Sequence, residues 1–384
     1  MAKHILAPTL LAAALLLAPP ALAANAEQLA AHSPQVQTAM TRLRAGVAGL
    51  HDPAIKAATR DALFNRDTCV VHRANLDADA QRDIIVRLMA EGLVDPADGN
   101  RFPGGLAAGL FPALPGEGGP CPHLPQAFAA APGGNQGSHH SWPGGLPVHT
   151  AFNAQMAKDM AAAYRAIDGV VLDGQDDLIN AAPLWHDWAK ALVFVWKADG
   201  GLPPELSIGG HDKDGDYRTG AHHILGLAEA MARHLPADLV IVQACAHQAP
   251  ERDKPQGLVH WLRAAAVIAR VDPVAAGYLA PGGDGALTLS GLADGAVPRW
   301  WSACLIHAQS DHNWVYAEPA VEDADRLLRP LAPRFGFDPT QPSQYAWGFR
   351  HPVLSLLGAQ GVQSLAAQGR LTDTLTKLRA KGAF

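Results

Sequence analysis

The chain has no run of lysine or arginine, and its balance is acidic: 30 Lys and Arg against 36 Asp and Glu, a formal charge of −6. That excludes a protein that holds long nucleic acid through phosphate contacts. Charged residues are scarce (17%) beside 48% hydrophobic ones, which excludes general disorder. The four cysteines, Cys69, Cys121, Cys245 and Cys304, lie far apart with no Cys-x-x-Cys pair, so no zinc knuckle is expected. Two disulfides remain open to them in three connectivities, although Cys245 lies in an apolar helical stretch and reads as a buried thiol. No P-loop, Gly-x-Ser-x-Gly elbow or His-Glu-x-x-His motif is present, which removes the nucleotide kinase, serine hydrolase and zincin readings. The long apolar run needed to span a membrane is also missing. Ile5–Leu17 is shorter than the roughly 18 residues required and ends in Pro19-Pro20. With Lys3 before it and Ala21-Leu22-Ala23 after it, this segment reads as a cleavable export signal over residues 1–23, with no anchor left after cleavage.

What is present is alanine-rich helical pattern. Periodicity predicts helices from Gln35 to Leu50, Ala54 to Phe64 and Asp79 to Leu93. A Pro/Gly-rich loop with at most short helices follows from Asp95 to Gly137. Val148, Phe152, Met156, Met160 and Ile167 mark one face of a helix over 148–168. Further helices are expected from Ala181 to Trp196, Gly220 to His234, Asp238 to Gln248 and Gly257 to Asp272. The fold class is all-α: an N-terminal helical segment (24–135), a core (136–280) and a C-terminal helical segment (281–384).

Along the core stand His149, the pair His186-Asp187, His222, His247 and Asp272, separated by 37, 35, 25 and 25 residues. Apart from the dyad, none can meet a neighbour locally. If they act together, successive helices must gather them round a cation. Asp272 ends the apolar stripe Leu258, Leu262, Ala265, Ala269, and a buried carboxylate there needs a partner or an ion. Imidazole and carboxylate together suit Mn, Zn, Fe or Co better than Ca or Mg. The Asp212-Lys-Asp-Gly-Asp216 run mimics a calcium loop but lacks its twelve-residue spacing and final Glu. His51, His72, His123, His234, His260 and His351 read as ordinary residues. His307, Asp311 and His312 near Trp314 read as a satisfied polar cluster, with closure of the pocket as the alternative.

Taken in order, Gly-Gly-Leu-Pro-Val-His149-Thr150, His186-Asp187 followed by Lys190, His222-His223-Ile-Leu-Gly226, Ala-His247-Gln and Ala-Arg-Val-Asp272-Pro resemble the HD-domain superfamily of metal-dependent phosphohydrolases. The resemblance covers about residues 136–280 and implies a helical bundle of HD type. It also implies one or two divalent transition metals on His149, His186, Asp187, His222, His247 and Asp272. Asp187 and Lys190 would serve catalysis, and His139 and His140 would meet the substrate. Counting back from Gly226 favours His222, with His223 the alternative. The implied activity is hydrolysis of a small phosphate ester or phosphodiester by metal-activated water. A di-iron oxygenase on the same ligands and a non-catalytic exported metal-bearing sensor are the competing readings. The chain departs from many relatives in Trp188-Ala-Lys190, where they carry Ile-Gly-Lys, and in Gln248, where some carry histidine.

Overall fold

The computed structural model describes residues 20–384 except 253–254, 284 and 293–296, with side chains from Asn25 onward. The expected export signal therefore lies, up to residue 19, outside the described residues. The molecule is mostly helical. Among the described residues the strands form two short antiparallel ladders: Ser207–Ile208 with Thr219–Gly220, and Leu279–Pro281 with Leu287–Leu289. Among the described residues no helix is long and apolar enough to cross a membrane.

Local chemistry starts the N-terminal helices. Ser33 caps Pro34–Ala48 by accepting from the Val36 N–H, and Asp52 caps Pro53–Phe64 by accepting from Ala54 and Ile55. In both, proline fills the first helical position, where no N–H is needed. The Pro/Gly-rich stretch carries the short helices Pro96–Arg101 and Gly105–Leu110.

The organising element is the 23-residue helix Gly145–Ile167. It packs against Pro34–Ala48, Asp176–Trp185 and Trp301–Ser310. Its buried face is not the one hydrophobicity suggested. Phe152 and Ile167 are exposed, while Leu146, His149, Asn153, Ala157 and Ala161 face inward. Alanines at one- to two-turn spacing let the neighbouring helices approach, and the polar pair is turned in for the site. Behind this helix, Ala221–Ala232 packs on Gln256–Ala269, and Ala237–Ala244 packs on Asp176–Trp185.

One hydrophobic core runs from Ala26 to Ile306 and so takes in the N-terminal segment. A second, smaller core is built from Trp314–Leu328 and later helices around Ala320, Leu328, Phe349 and Val353, with Trp142 inserted into it.

Both cysteine pairs are closed: Cys69–Cys121 and Cys245–Cys304, with Cα atoms 4.8 and 5.4 Å apart. Cys245 is therefore not the free thiol its apolar setting suggested. It ends the helix Ala237–Ala244 and ties it to Trp301–Ser310. A bond closing 59 residues restricts the unfolded chain by about 4 kcal/mol in the chain-entropy account. Replacing Cys245 and Cys304 together by alanine should lower stability by about 2–5 kcal/mol in urea unfolding. A loss under 1 kcal/mol would mean that packing alone holds the two helices.

Candidate metal centre

The dyad does not lie in a continuous helix as expected. Asp176–Trp185 stops before it and Lys190–Val193 resumes after it. Between them Trp188 bonds back to Trp185, Lys190 to Asp187, and Ala191 to Trp188, all three-residue closures. This tighter winding turns adjacent side chains about 120° apart. His186 and Asp187 so approach one point from two sides. The Pro183 carbonyl accepts from His186 Nδ1 at 3.0 Å, which leaves Nε2 for the centre.

Four donors from three segments meet there. His149 Nε2 is 3.1 Å from Asp187 Oδ2 and 3.1 Å from Asp311 Oδ1. His186 Nε2 is 3.3 Å from Asp187 Oδ2 and 3.1 Å from Asp311 Oδ1. An ion with bonds of 2.0–2.1 Å separates tetrahedral ligands by about 3.3 Å, a spacing these donors match, as do direct hydrogen bonds between them. Asn153, one turn after His149, donates to Asp311 Oδ1 at 2.6 Å and steadies it.

The fourth donor corrects the sequence reading. Asp272 is exposed, and its carboxylate accepts from the Val274 and Ala275 N–H groups. The cause lies in Arg270, which adopts left-handed φ (60°) and ends the helix at Ala269, so the chain leaves the apolar stripe before Asp272. Asp272 lines a groove of about 710 Å³ with Arg87, Arg263 and Arg270, and that groove contains no imidazole. Asp311, the residue after Trp301–Ser310, takes the place expected for Asp272.

A second donor set adjoins the first through Asp187. Its ligand atoms, with those of His222 and His247, lie within 4.8 Å of one another. His222 Nε2 is 3.4 Å from Asp187 Oδ1, while its Nδ1 is 2.6 Å from Glu205 Oε1. His223 instead stacks on His247 and bonds the Ala244 carbonyl, which decides between the two adjacent histidines. Glu205 was not legible in sequence. Gly220 makes room for it, because a Cβ there would stand 2.7 Å from Glu205 Oε2 and 2.8 Å from His222 Nδ1. His247 Nδ1 is held by Thr219 Oγ1 at 2.8 Å.

Both Asp187 oxygens and His222 Nε2 are buried with charged neighbours but no well-formed hydrogen bond. Lys190 Nζ stands 2.6 Å from Asp187 Oδ2 as an ion pair and donates to the Gly133 carbonyl at 2.6 Å. Lys190 thus positions Asp187 and the loop below it. Burial alone would raise Asp187 and Asp311, but His186 beside both, Lys190 beside Asp187 and His149 beside Asp311 hold them well below the carboxylate range. Burial likewise opposes a charge on His186, yet the two carboxylates hold it up at about 10. His222 is raised against its burial by Glu205 and Asp187. Two ionised carboxylates at this depth demand positive charge, which protons supply when no metal is bound. Metal binding would release those protons.

Compared with known proteins, the chain matches no family model, no curated protein and no solved structure. The chemistry of the site therefore rests on its own geometry.

The donors open onto a cavity of about 310 Å³, lined among others by His139, Lys190, Glu205, His222, His247 and Asp311, with Trp314 at its edge. His139 reaches this wall. His140 is buried behind it, and burial with nearby His149 and Lys190 holds both rings well below the ordinary imidazole range. Glu205→Gln should weaken the ion held by His222 about 10- to 100-fold, because the carboxylate fixes the ring and its basicity. Titration with a competing chelator measures this, and unchanged affinity would show that Glu205 serves only the fold.

Proposed function

We propose that the chain is an exported metal-dependent hydrolase of small phosphate esters or phosphodiesters, of the HD-domain kind. The observation that carries the reading is that the Nε2 atoms of His149 and His186 each stand 3.1–3.3 Å from an oxygen of Asp187 and of Asp311, with His222 and His247 adjoining through Asp187. Mixed imidazole and carboxylate donors fit Mn, Zn, Fe or Co. One or two such ions would lower the pKa of a coordinated water and polarise a phosphoryl oxygen. The protein's own contribution is placement. Asp187 faces both donor sets, Lys190 fixes Asp187, and Glu205 fixes His222. His139 and Lys190 lie on the cavity wall, where a phosphate oxygen would find a ring nitrogen and a positive charge. The cavity's size suits a small substrate rather than a polymer. The two disulfides and the expected leader agree with an oxidising compartment.

The test is a panel of phosphomonoesters and phosphodiesters, offered to metal-depleted protein and to protein reloaded with Mn²⁺, Zn²⁺, Fe²⁺ or Co²⁺. Phosphate or alcohol release that returns on reloading, and disappears in His186→Ala and Asp187→Ala, is the expected result. Unchanged turnover in either variant would sink the reading. Oxygen consumption with stoichiometric iron would move it to the oxygenase alternative.

A further inference from the structure

We propose that His139, His140 and His149 hold a further divalent ion, Zn²⁺, beside the His/Asp centre. The proposal shares His149 with that centre, but its own donors are His139 and His140. Their Nδ1 atoms are 3.2 Å apart, close to the roughly 3.3 Å between two nitrogens on one tetrahedral zinc. The His149 ring lies 4.6 Å from that of His139 and 5.3 Å from that of His140, tilted against both. One ligand atom from each of the three falls within 4.8 Å of the others.

His149 has a nitrogen to give. Its Nε2 faces Asp187 and Asp311, and its Nδ1 is buried without a partner. With Nε2 on the first ion and Nδ1 on the new one, the ring acts as an imidazolate bridge. Its remaining N–H proton passes to solvent when the new ion binds.

The backbone is shaped around His140 at some cost. This buried residue takes left-handed φ (54°), a conformation that costs a non-glycine residue about 1–3 kcal/mol. Two glycines accommodate it. A Cβ on Gly145 would collide with the His140 carbonyl oxygen, and one on Gly133 would stand 2.7 Å from the His140 Cβ. Gly133 N–H also donates to that carbonyl at 2.9 Å. A hydrogen bond between two loop histidines does not call for such a frame, whereas fixing two nitrogens at ligand spacing does.

Three imidazole-ring nitrogens select zinc or copper over calcium and magnesium. Because His139 also lines the cavity, the fourth position of this ion opens toward the space reserved for substrate. The three donor groups form a chain, joined at His149 and at Asp187.

The test counts ions. Metal-free full-length protein is loaded with Zn²⁺, dialysed against metal-free buffer and measured by mass spectrometry. The His139→Gln/His140→Gln double variant is expected to hold one ion fewer than the parent, and equal counts overturn the proposal. Should the double variant fail to fold, His139→Gln alone is measured; it is expected to lose one ion, and a count equal to the parent's overturns the proposal. The outcomes separate this inference from the reading of the main centre. An ion lost in His186→Ala, with the parent's count kept in the glutamine variants, would leave the centre and remove the further site. A single ion lost in the glutamine variants but kept in His186→Ala would do the reverse.

Discussion

Asp311→Ala is expected to strip the first metal position and abolish turnover, while Asp272→Ala leaves both unchanged. The contrast follows from where each carboxylate lies. Asp311 stands 3.1 Å from the Nε2 atoms of His149 and His186, whereas Asp272 is exposed and caps a turn. Losing one of four ligands on a compact ion leaves a three-donor remnant, and the freed imidazoles then compete with protons. Occupancy of that first position should fall below a tenth of the parent's after dialysis, with activity reduced in proportion. Asp187→Ala should be more severe, because Asp187 serves both donor sets. Metal analysis of the three variants side by side checks the order. Equal loss in the Asp272 variant would return the closing ligand to the position that sequence pattern had favoured.

Glu229→Ala should be the most destabilising single change outside the centre, at about 3–5 kcal/mol. Glu229 is fully buried and accepts from the N–H groups of Val71 and His72, from His72 Nδ1 and from Arg233 Nε. Arg233 continues to Asp61, Thr68 and the Cys69 carbonyl and lies over Trp185, the residue before the dyad. Removing the carboxylate leaves Arg233 with Asp61 as its counter-charge, and leaves His72 Nδ1 and the Val71 and His72 N–H groups buried without their acceptor. Burial alone would raise Glu229, but His72 and Arg233 outweigh it and hold it low. Its contribution is thus present above its unfolded value of 4.5 and lost as pH falls through the folded one. His72, lowered by burial against the pull of Glu229, and His351, lowered to about 3 by burial and Arg350, act in the same direction. Both bind protons more readily when unfolded, so stability should decline as pH drops from about 6.5 toward 3. His186 acts oppositely, and only between 6.5 and about 10 in metal-free protein. Urea midpoints across this range test the sign; a flat profile from pH 6.5 to 4 would contradict it.

The helical character, the short helices of the Pro/Gly stretch and five of the six candidate ligands were legible in sequence, because each depends on local pattern. The misplaced sixth shows the limit. Leu258, Leu262, Ala265 and Ala269 form a true apolar stripe, but its continuation to Asp272 depends on Arg270 keeping helical φ, which no periodicity reports. The signal for Asp311 was present in the cluster His307, Asp311 and His312 near Trp314, for which closing the pocket was the alternative. It looked like a satisfied polar cluster because the helices that receive it were unknown. The inward face of Gly145–Ile167 was misread for a related reason: hydrophobicity ranks Phe152 above Asn153, while the buried carboxylate of Asp311 requires the amide. Glu205 lies in a loop and joins His222 through tertiary packing alone. The break at His186–Asp187 was foreshadowed by Pro183, whose missing N–H weakens the helix just ahead of the dyad.

The central claim is that the buried histidines and aspartates are ligands rather than a self-sufficient hydrogen-bonded cluster. An anomalous-scattering map from crystals of protein purified without chelators tests it most directly. The account predicts a peak about 2.0–2.2 Å from His149 Nε2, His186 Nε2 and one oxygen each of Asp187 and Asp311. A map without that peak, with the same four side chains bonded directly to one another at about 3 Å, would contradict it.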